Sequence, residues 1–259
     1  MKQILRSLFS SLGYQVTRLE PTQMGPQGYD LEEEARQSIN VVREHTMVPY
    51  QRLVTLYQQA VFCERNDIEG SFVECGTWRG GAVGLMALAN LRYGAARRHI
   101  HLFDSFEGIP EPDELVDGEE ALKFAHAVGG GVNGKLIPLR NQYASVGTLE
   151  ANRQFLERQL KYDPRYLHYH KGWFQDTVPK DAPECGEIAI LRLDGDWYAS
   201  THICLETLYD QVVSGGFIIH DDYGYYDGCR KAVDEFVERR NLNIYFHHID
   251  PAGRYWIKS

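Results

Sequence analysis

The chain has 259 residues, 43% hydrophobic and 24% charged, with a formal net charge of -9. That length suits one α/β domain with extensions, or at most two small domains, and is long enough to bury a substantial core. The acidic balance argues against a nonspecific nucleic-acid binder, which carries a basic face. Cys63, Cys75, Cys185, Cys204 and Cys229 are scattered and form no CxxC pair. They read as neither a zinc site nor a disulfide framework, but as reduced thiols of a cytoplasmic protein.

The chain opens with MKQILRSLFSSLGYQVTRLEP. Arg6 interrupts its apolar stretch and no small-x-small site follows, so it does not read as a signal peptide. No run approaches the ~20 apolar residues of a membrane span. Ile4, Leu5, Leu8, Phe9 and Leu12 share one helical face. That face predicts a helix docked on its own domain or on a second subunit, with a membrane-surface contact as the sharper alternative. Residues 1–30 read as a peripheral arm ending in PTQMGPQGYD, and 31–66 as helical. Together, 1–66 form an expected N-terminal helical arm or lid ahead of a domain over 67–259.

From about residue 68, strand and helix alternate. GSFVECG (70–76) predicts a strand, followed by TWRGG and the helical GAVGLMALANLRYG. HIHLFDSF (99–106) is the second strand, and 107–148 reads as irregular. The helix LEANRQFLERQL leads to the strands YLHYHKGWF (166–174) and EIAILRLDGD (187–196). The helix THICLETLYDQVV, the strand GGFIIHDDY (215–223) and the helix GCRKAVDEFVERRN precede the terminal strands NIYFHHID and GRYWIKS. Apolar strands with few polar interruptions describe a parallel sheet covered on both faces. Ligands of such sheets sit beyond the carboxyl ends of the strands, near the point where strand order reverses.

Those strand ends carry the chemistry. VECGTWRGG puts Gly76, Gly80 and Gly81 between strand and helix, in an ExGxxxG spacing with Glu74 on the strand. A pyrophosphate loop aims bare amides at an anion, and an acid before the turn opposes that. Glu74 suits an ammonium, which leans toward S-adenosylmethionine and away from a nicotinamide dinucleotide. Asp104, 23 residues after Gly81, sits where a second-strand acid takes ribose hydroxyls. GGGVNGKL (129–136) fits GxxxxGK but lacks the following Ser or Thr and a preceding strand, so it reads as a mobile loop over the site.

Asp194 ends one strand, and Asp221 and Asp222 end another, 27 and 28 residues later. If those strands are neighbours, three carboxylates converge, a donor set that suits Mg²⁺. N-capping accounts for one Asp per strand end, but not for DGD on one strand and DD on the next. Asp196 reads as a cap of the following helix or as support for the metal ligands. His168 and His170 alternate along one strand, and His247 and His248 lie near the C-terminus. None has ligand spacing, and His220 is expected to point away from Asp221.

VECGTWRGG, LFDSFEGIP, KGWFQDTVP, LRLDGDWY, GGFIIHDDY and GRYW resemble the macrocin O-methyltransferase family, from roughly residue 40 to the end. The resemblance implies a Rossmann-like methyltransferase fold with a mostly parallel seven-stranded sheet, helices on both faces and an N-terminal helical extension. It also implies S-adenosylmethionine, Mg²⁺, a sugar hydroxyl as acceptor and a homo-oligomer. By that likeness Asp194, Asp221 and Asp222 are metal ligands, and Asp194 is also the catalytic base. Glu74, Gly76, Thr77, Gly80, Gly81, Asp104 and Ser105 match cofactor-binding segments. So do Thr46 and Met47 in HTMVPYQRL, and Gly172 and Trp173 in KGWF. The arm and residues 110–145 depart from the antibiotic enzymes, so a glycan, a glycolipid or another sugar-bearing metabolite stands beside a macrolide. The rivals are a catechol-type O-methyltransferase, which typically carries a lysine that DGDWYAS lacks, an NAD-linked oxidoreductase and a non-catalytic binding subunit.

Overall fold

The computed structural model describes residues 30–128, 136–137 and 146–259. Of two compact units, Met1–Glu33 and Glu34–Ser259, the second holds nearly all of these residues. The amphipathic stretch before residue 30 and the glycine-rich loop from 129 lie outside the described residues.

The expected helical stretch at 31–66 is two helices, α1 (Asp30–Val42) and α2 (Tyr50–Arg65), joined through a short turn at Arg43–His45. Pro49 divides them, because proline holds its own φ and disfavours helix in the residue before it; it sits in the extended region at the N-cap of α2. Then come β1 (Ser71–Cys75), α3 (Gly81–Tyr93) and β2 (Ile100–Asp104). The segment read as irregular is in part ordered: β3 (Ile109–Pro110) pairs antiparallel with β4 (Leu136–Ile137), and α4 (Gly118–Val128) lies between them in the chain. α5 (Leu149–Arg153) continues into a wider turn at Gln154–Gln159 and precedes β5 (Leu167–Lys171).

α6 (Phe174–Cys185) was not foreseen, because Pro179 and Pro183 lie inside it and proline ordinarily ends a helix. Its buried Val178, Ala182 and Cys185, spaced four and three apart, hold it against the core. β6 (Ile188–Leu193) and α7 (Tyr198–Leu208) follow. β7 (Val212–His220) starts before its glycines, so the predicted helix is three residues too late at its start and runs into the strand at its end. α8 (Asp227–Arg239), β8 (His247–His248) and β9 (Arg254–Ile257) complete the unit.

The sheet order is β5-β2-β1-β6-β7-β9-β8. The five strands from β5 to β7 run parallel; at one edge β9 pairs antiparallel with β7, and β8, antiparallel to β9, runs in the direction of the five. From β1 the chain moves outward through β2 to β5, then returns to the other side of β1 with β6 and β7. The reversal falls between β1 and β6, where open α/β sheets place their ligands. Val73, Leu191, Ile218, Phe236 and Trp256 belong to the core on which this edge rests. The five cysteines are buried and free. Among the described residues, no helix is long and apolar enough to cross a membrane.

The histidines of β2 and β5 form a ladder. His99 Nδ1 lies 2.8 Å from His168 Nε2, and His101 Nδ1 lies 3.0 Å from His170 Nε2. His101 stacks on His168 at 4.4 Å, Phe103 stacks on His170 at 4.1 Å, and Asp181 Oδ2 sits 3.1 Å from His170 Nδ1. Burial, with the neighbouring imidazoles His168, His170 and His99 adding to it, pulls His101 down to about 3. An unfolded histidine titrates near 6.5. His101 therefore contributes stability above pH ~6.5 that is lost as pH falls toward 3, by about 1.4 kcal/mol per pH unit. Urea denaturation at pH 7.5 and 5.5 is expected to show this loss, and His101→Phe, which keeps a stacked ring and removes the titration, is expected to shrink it.

Candidate active site

Gly76 ends β1 with φ +90°, and a Cβ there would strike the Asp194 carbonyl. Only glycine allows that turn and that approach, so the ends of β1 and β6 are clasped. Gly80 N donates to Thr77 O at 2.7 Å, closing the turn into α3. Asn152, fully buried, braces it by donating Nδ2 to Trp78 O at 2.7 Å. A Cβ on Gly81 would lie 2.6 Å from Thr46 Cβ, so the segment before α2 lies across the start of α3. Thr46 Oγ1 accepts from Val48 N at 3.1 Å, and Met47 is 48% exposed.

Asp104 fastens this turn to β2. Its Oδ2 accepts from Thr77 N (2.7 Å) and Trp78 N (3.0 Å), and its Oδ1 accepts from Phe106 N (2.7 Å). Burial pushes its carboxyl up, against the pull of those amides. A carboxylate has about four acceptor sites, so any ribose contact would use what the amides leave. Ser105 Oγ donates to Gly108 O at 2.6 Å and shapes the next turn. Gly76, Asp104, Ser105, Gly172, Trp173 and Asp194 line a common cleft of about 360 Å³. Met47 lines an adjoining cavity of about 110 Å³ together with Gly76, Asp104, Asp194 and Asp196.

Asp194, Asp221 and Asp222 each offer one oxygen, and these lie within 4.8 Å of one another. Asp221 N donates to Leu193 O at 3.0 Å, which holds the two strand ends together. Beneath them is a cation that sequence reasoning missed. Arg192, 1% exposed, stands opposite Glu74 in the β1–β6 register. Its Nη1 reaches Glu74 Oε1 at 2.5 Å and Asp194 Oδ2 at 2.8 Å, and its Nη2 reaches Asp221 Oδ1 at 2.5 Å. An arginine inside the apolar run EIAILRLDGD was the signal for it. Arg52 of α2 was missed as well; its Nη1 bonds Asp221 Oδ2, and its Nε bonds Asp250 Oδ2 at 2.7 Å.

These partners bear on the sequence reading. Glu74 is 1% exposed; its Oε1 pairs with Arg192, and its Oε2 is buried without a hydrogen-bond partner. Asp196, at φ +59°, lines both cavities and does not cap α7. Asp117 takes the cap, accepting from Tyr198 N at 2.7 Å. His220 is fully buried and stacked on Trp256 at 4.8 Å, and burial pulls it down to about 3.

The cluster holds six carboxylates (Glu74, Asp194, Asp196, Asp221, Asp222 and Asp250) against two guanidiniums, Arg52 and Arg192. Burial first, then mutual repulsion, pushes Asp194, Asp196 and Asp222 up, and burial carries Glu74 to about 8. Asp222 Oδ2 is buried without a hydrogen-bond partner. Three convergent carboxylates, an unpaired buried oxygen and excess negative charge fit a hard divalent cation such as Mg²⁺.

The sheet order and the clasped strand ends define a Rossmann-like methyltransferase fold. Among solved structures, the O-methyltransferase NovP superposes with a TM-score of 0.70 at 31% identity, covering 83% of this chain and 82% of that one. The chain belongs to the macrocin O-methyltransferase family, whose model, Macrocin-O-methyltransferase (TylF), matches residues 14–258. It is similar to the 8-demethyl-8-(2,3-dimethoxy-alpha-L-rhamnosyl)-tetracenomycin-C 4'-O-methyltransferase of Streptomyces olivaceus, 35% identical over 82% of this chain and 75% of that protein. It is also similar to the demethyldecarbamoylnovobiocin O-methyltransferase of Streptomyces niveus, 35% identical over 83% of this chain and 76% of that protein. Membership of this family sets aside the oxidoreductase and the non-catalytic subunit.

Removing one partner from a buried ion network leaves charges uncompensated, at a cost of about 3–5 kcal/mol. Arg192→Met is expected to lose about that much in urea denaturation, and adding Glu74→Gln to it is expected to recover part of the loss.

Proposed function

We propose that this chain transfers a methyl group from S-adenosylmethionine to a hydroxyl of a saccharide or sugar-bearing metabolite, with Mg²⁺ held by Asp194, Asp221 and Asp222. The observation that carries the reading is the convergence of these three carboxylates beside a cleft at the sheet's reversal point. The relatives support the acceptor class: one is named for 4'-O-methylation of a rhamnosyl tetracenomycin, and another, 32% identical, is the mycinamicin III 3''-O-methyltransferase of Micromonospora griseorubida. The missing lysine in DGDWYAS speaks against a catechol acceptor.

When bound, S-adenosylmethionine supplies an electrophilic methyl, and Mg²⁺ lowers the pKa of a hydroxyl beside it. The chain's residues do the rest. Gly76, Thr77, Gly80 and Gly81 form the turn that would hold the cofactor, Asp104 and Ser105 would hold its far wall, and Gly172 and Trp173 would frame the other side. Thr46 and Met47 would cover it, and Glu74 would act through Arg192. Asp194 keeps 24% of its side chain exposed while Arg192 holds its Oδ2. Its Oδ1 would accept the proton of the acceptor hydroxyl. Holding nucleophile and methyl in near-attack geometry supplies much of the rate.

Calorimetry with S-adenosylhomocysteine and a methyl-transfer assay with sugar-bearing acceptors test this reading. Asp194→Asn is expected to lower turnover by about 10²–10⁴-fold, the usual contribution of a positioned base, and to leave nucleoside binding in place. A folded, ligand-free wild type that does not bind the nucleoside overturns it.

A further inference from the structure

Asp221 is held from two sides, and the two holds differ in kind. Its amide donates to Leu193 O, and its Oδ1 faces Arg192, which is 1% exposed. Those contacts come from the neighbouring strand and are enough to orient the carboxylate. Arg52 arrives from outside the sheet, on α2, with 15% of its side chain exposed. It takes the other oxygen, Oδ2, and donates to the Asp221 carbonyl at 3.0 Å.

Arg52 is itself built into place. Asp250 Oδ2 accepts its Nε at 2.7 Å, and Asp250 Oδ1 is fixed by the amides of Ala252 (2.9 Å) and Gly253 (2.7 Å). A side chain at Gly253 would press on the Arg52 stem, with Cδ 3.1 Å from the added Cβ. A guanidinium is thus delivered, by a loop and a helix, to one of the three carboxylates that would hold the divalent ion. Like charges at this range repel strongly in a partly dry site.

We infer that Arg52 is a placeholder cation: it neutralises the paired aspartates before the ion arrives and competes with that ion for Asp221. It is a positioning residue acting through Asp221, and this inference rests on the metal reading above. Its signature is a pair of effects of opposite sign. Loss of the charge should destabilise the metal-free protein and tighten the ion, whereas loss of a mere brace would weaken both.

The test is calorimetric titration with Mg²⁺, together with thermal denaturation in EDTA, on wild type, Arg52→Lys and Arg52→Gln. Arg52→Gln is expected to melt lower without metal and to bind Mg²⁺ about 10-fold tighter, the scale of removing one nearby charge. Arg52→Lys, which keeps the charge, is expected to stay within about 3-fold of wild type, well under the effect of losing that charge. If Arg52→Gln does not fold, Asp250→Asn, which releases the outer anchor of Arg52, is expected to tighten Mg²⁺ by a smaller factor, and no tightening there overturns the proposal. Wild-type binding that Arg52→Gln leaves unchanged or weakens overturns this proposal alone. Absence of Mg²⁺ binding in wild type and variants overturns the metal reading and the proposal with it.

Discussion

One guanidinium ties the site to the sheet. Arg192 lies beneath the strand ends and bonds carboxylates from three adjacent strands or their ends: Glu74 on β1, Asp194 after β6 and Asp221 after β7. A buried ion network of this kind adds little net stability over an apolar core, but it punishes misplacement, because a carboxylate moved out of register is left charged and dry. Strand alternation makes it possible. Arg192 and Asp194 are two apart on β6 and its end, so they share a face, and the β1–β6 register brings Glu74 beside them.

A similar set of contacts joins the two sides of the cleft. The glycine turn reaches the Asp194 backbone through Gly76 and the β2 end through the amides that Asp104 binds. The segment after β2 is tied to the acid-bearing strand by Trp197, whose Nε1 donates to Pro110 O at 2.8 Å, and by Asp117, which accepts from Tyr198 N at the start of α7. Trp197 packs edge-on against Tyr226, which follows the paired aspartates. A shift at any one of these strand ends is therefore felt at the others, as a reaction that needs nucleophile and methyl in line requires.

The central strands β1, β6 and β7 were legible because their apolar runs are nearly continuous, and the glycine turn and the paired aspartates because their residue types are out of place in such runs. The sequence distance between partners hid the rest. Arg192 meets Glu74 across 118 residues, Arg52 meets Asp221 across 169, and Asp117 meets Tyr198 across 81. No local pattern announces such pairs. The convergence of Asp194, Asp221 and Asp222 pointed to a cation, but not to two arginines that pair with part of the cluster. Helix α6 was hidden for the opposite reason: its prolines speak loudly and locally, and packing of Val178, Ala182 and Cys185 overrides them. Asp104 was expected to take ribose hydroxyls; it lines the cleft, and its bonds to Thr77 and Trp78 give it a backbone role that spacing does not reveal.

The most direct test of the central claim, a divalent-cation site built on a buried arginine fork, is anomalous diffraction from crystals grown with Mn²⁺ and S-adenosylhomocysteine. The expected result is an anomalous peak bounded by Asp194, Asp221 and Asp222, with Arg192 still paired to Glu74 beneath it and the nucleoside in the cleft beside it. A nucleoside-bound crystal with no peak among those carboxylates, or with the metal held elsewhere, would contradict the claim.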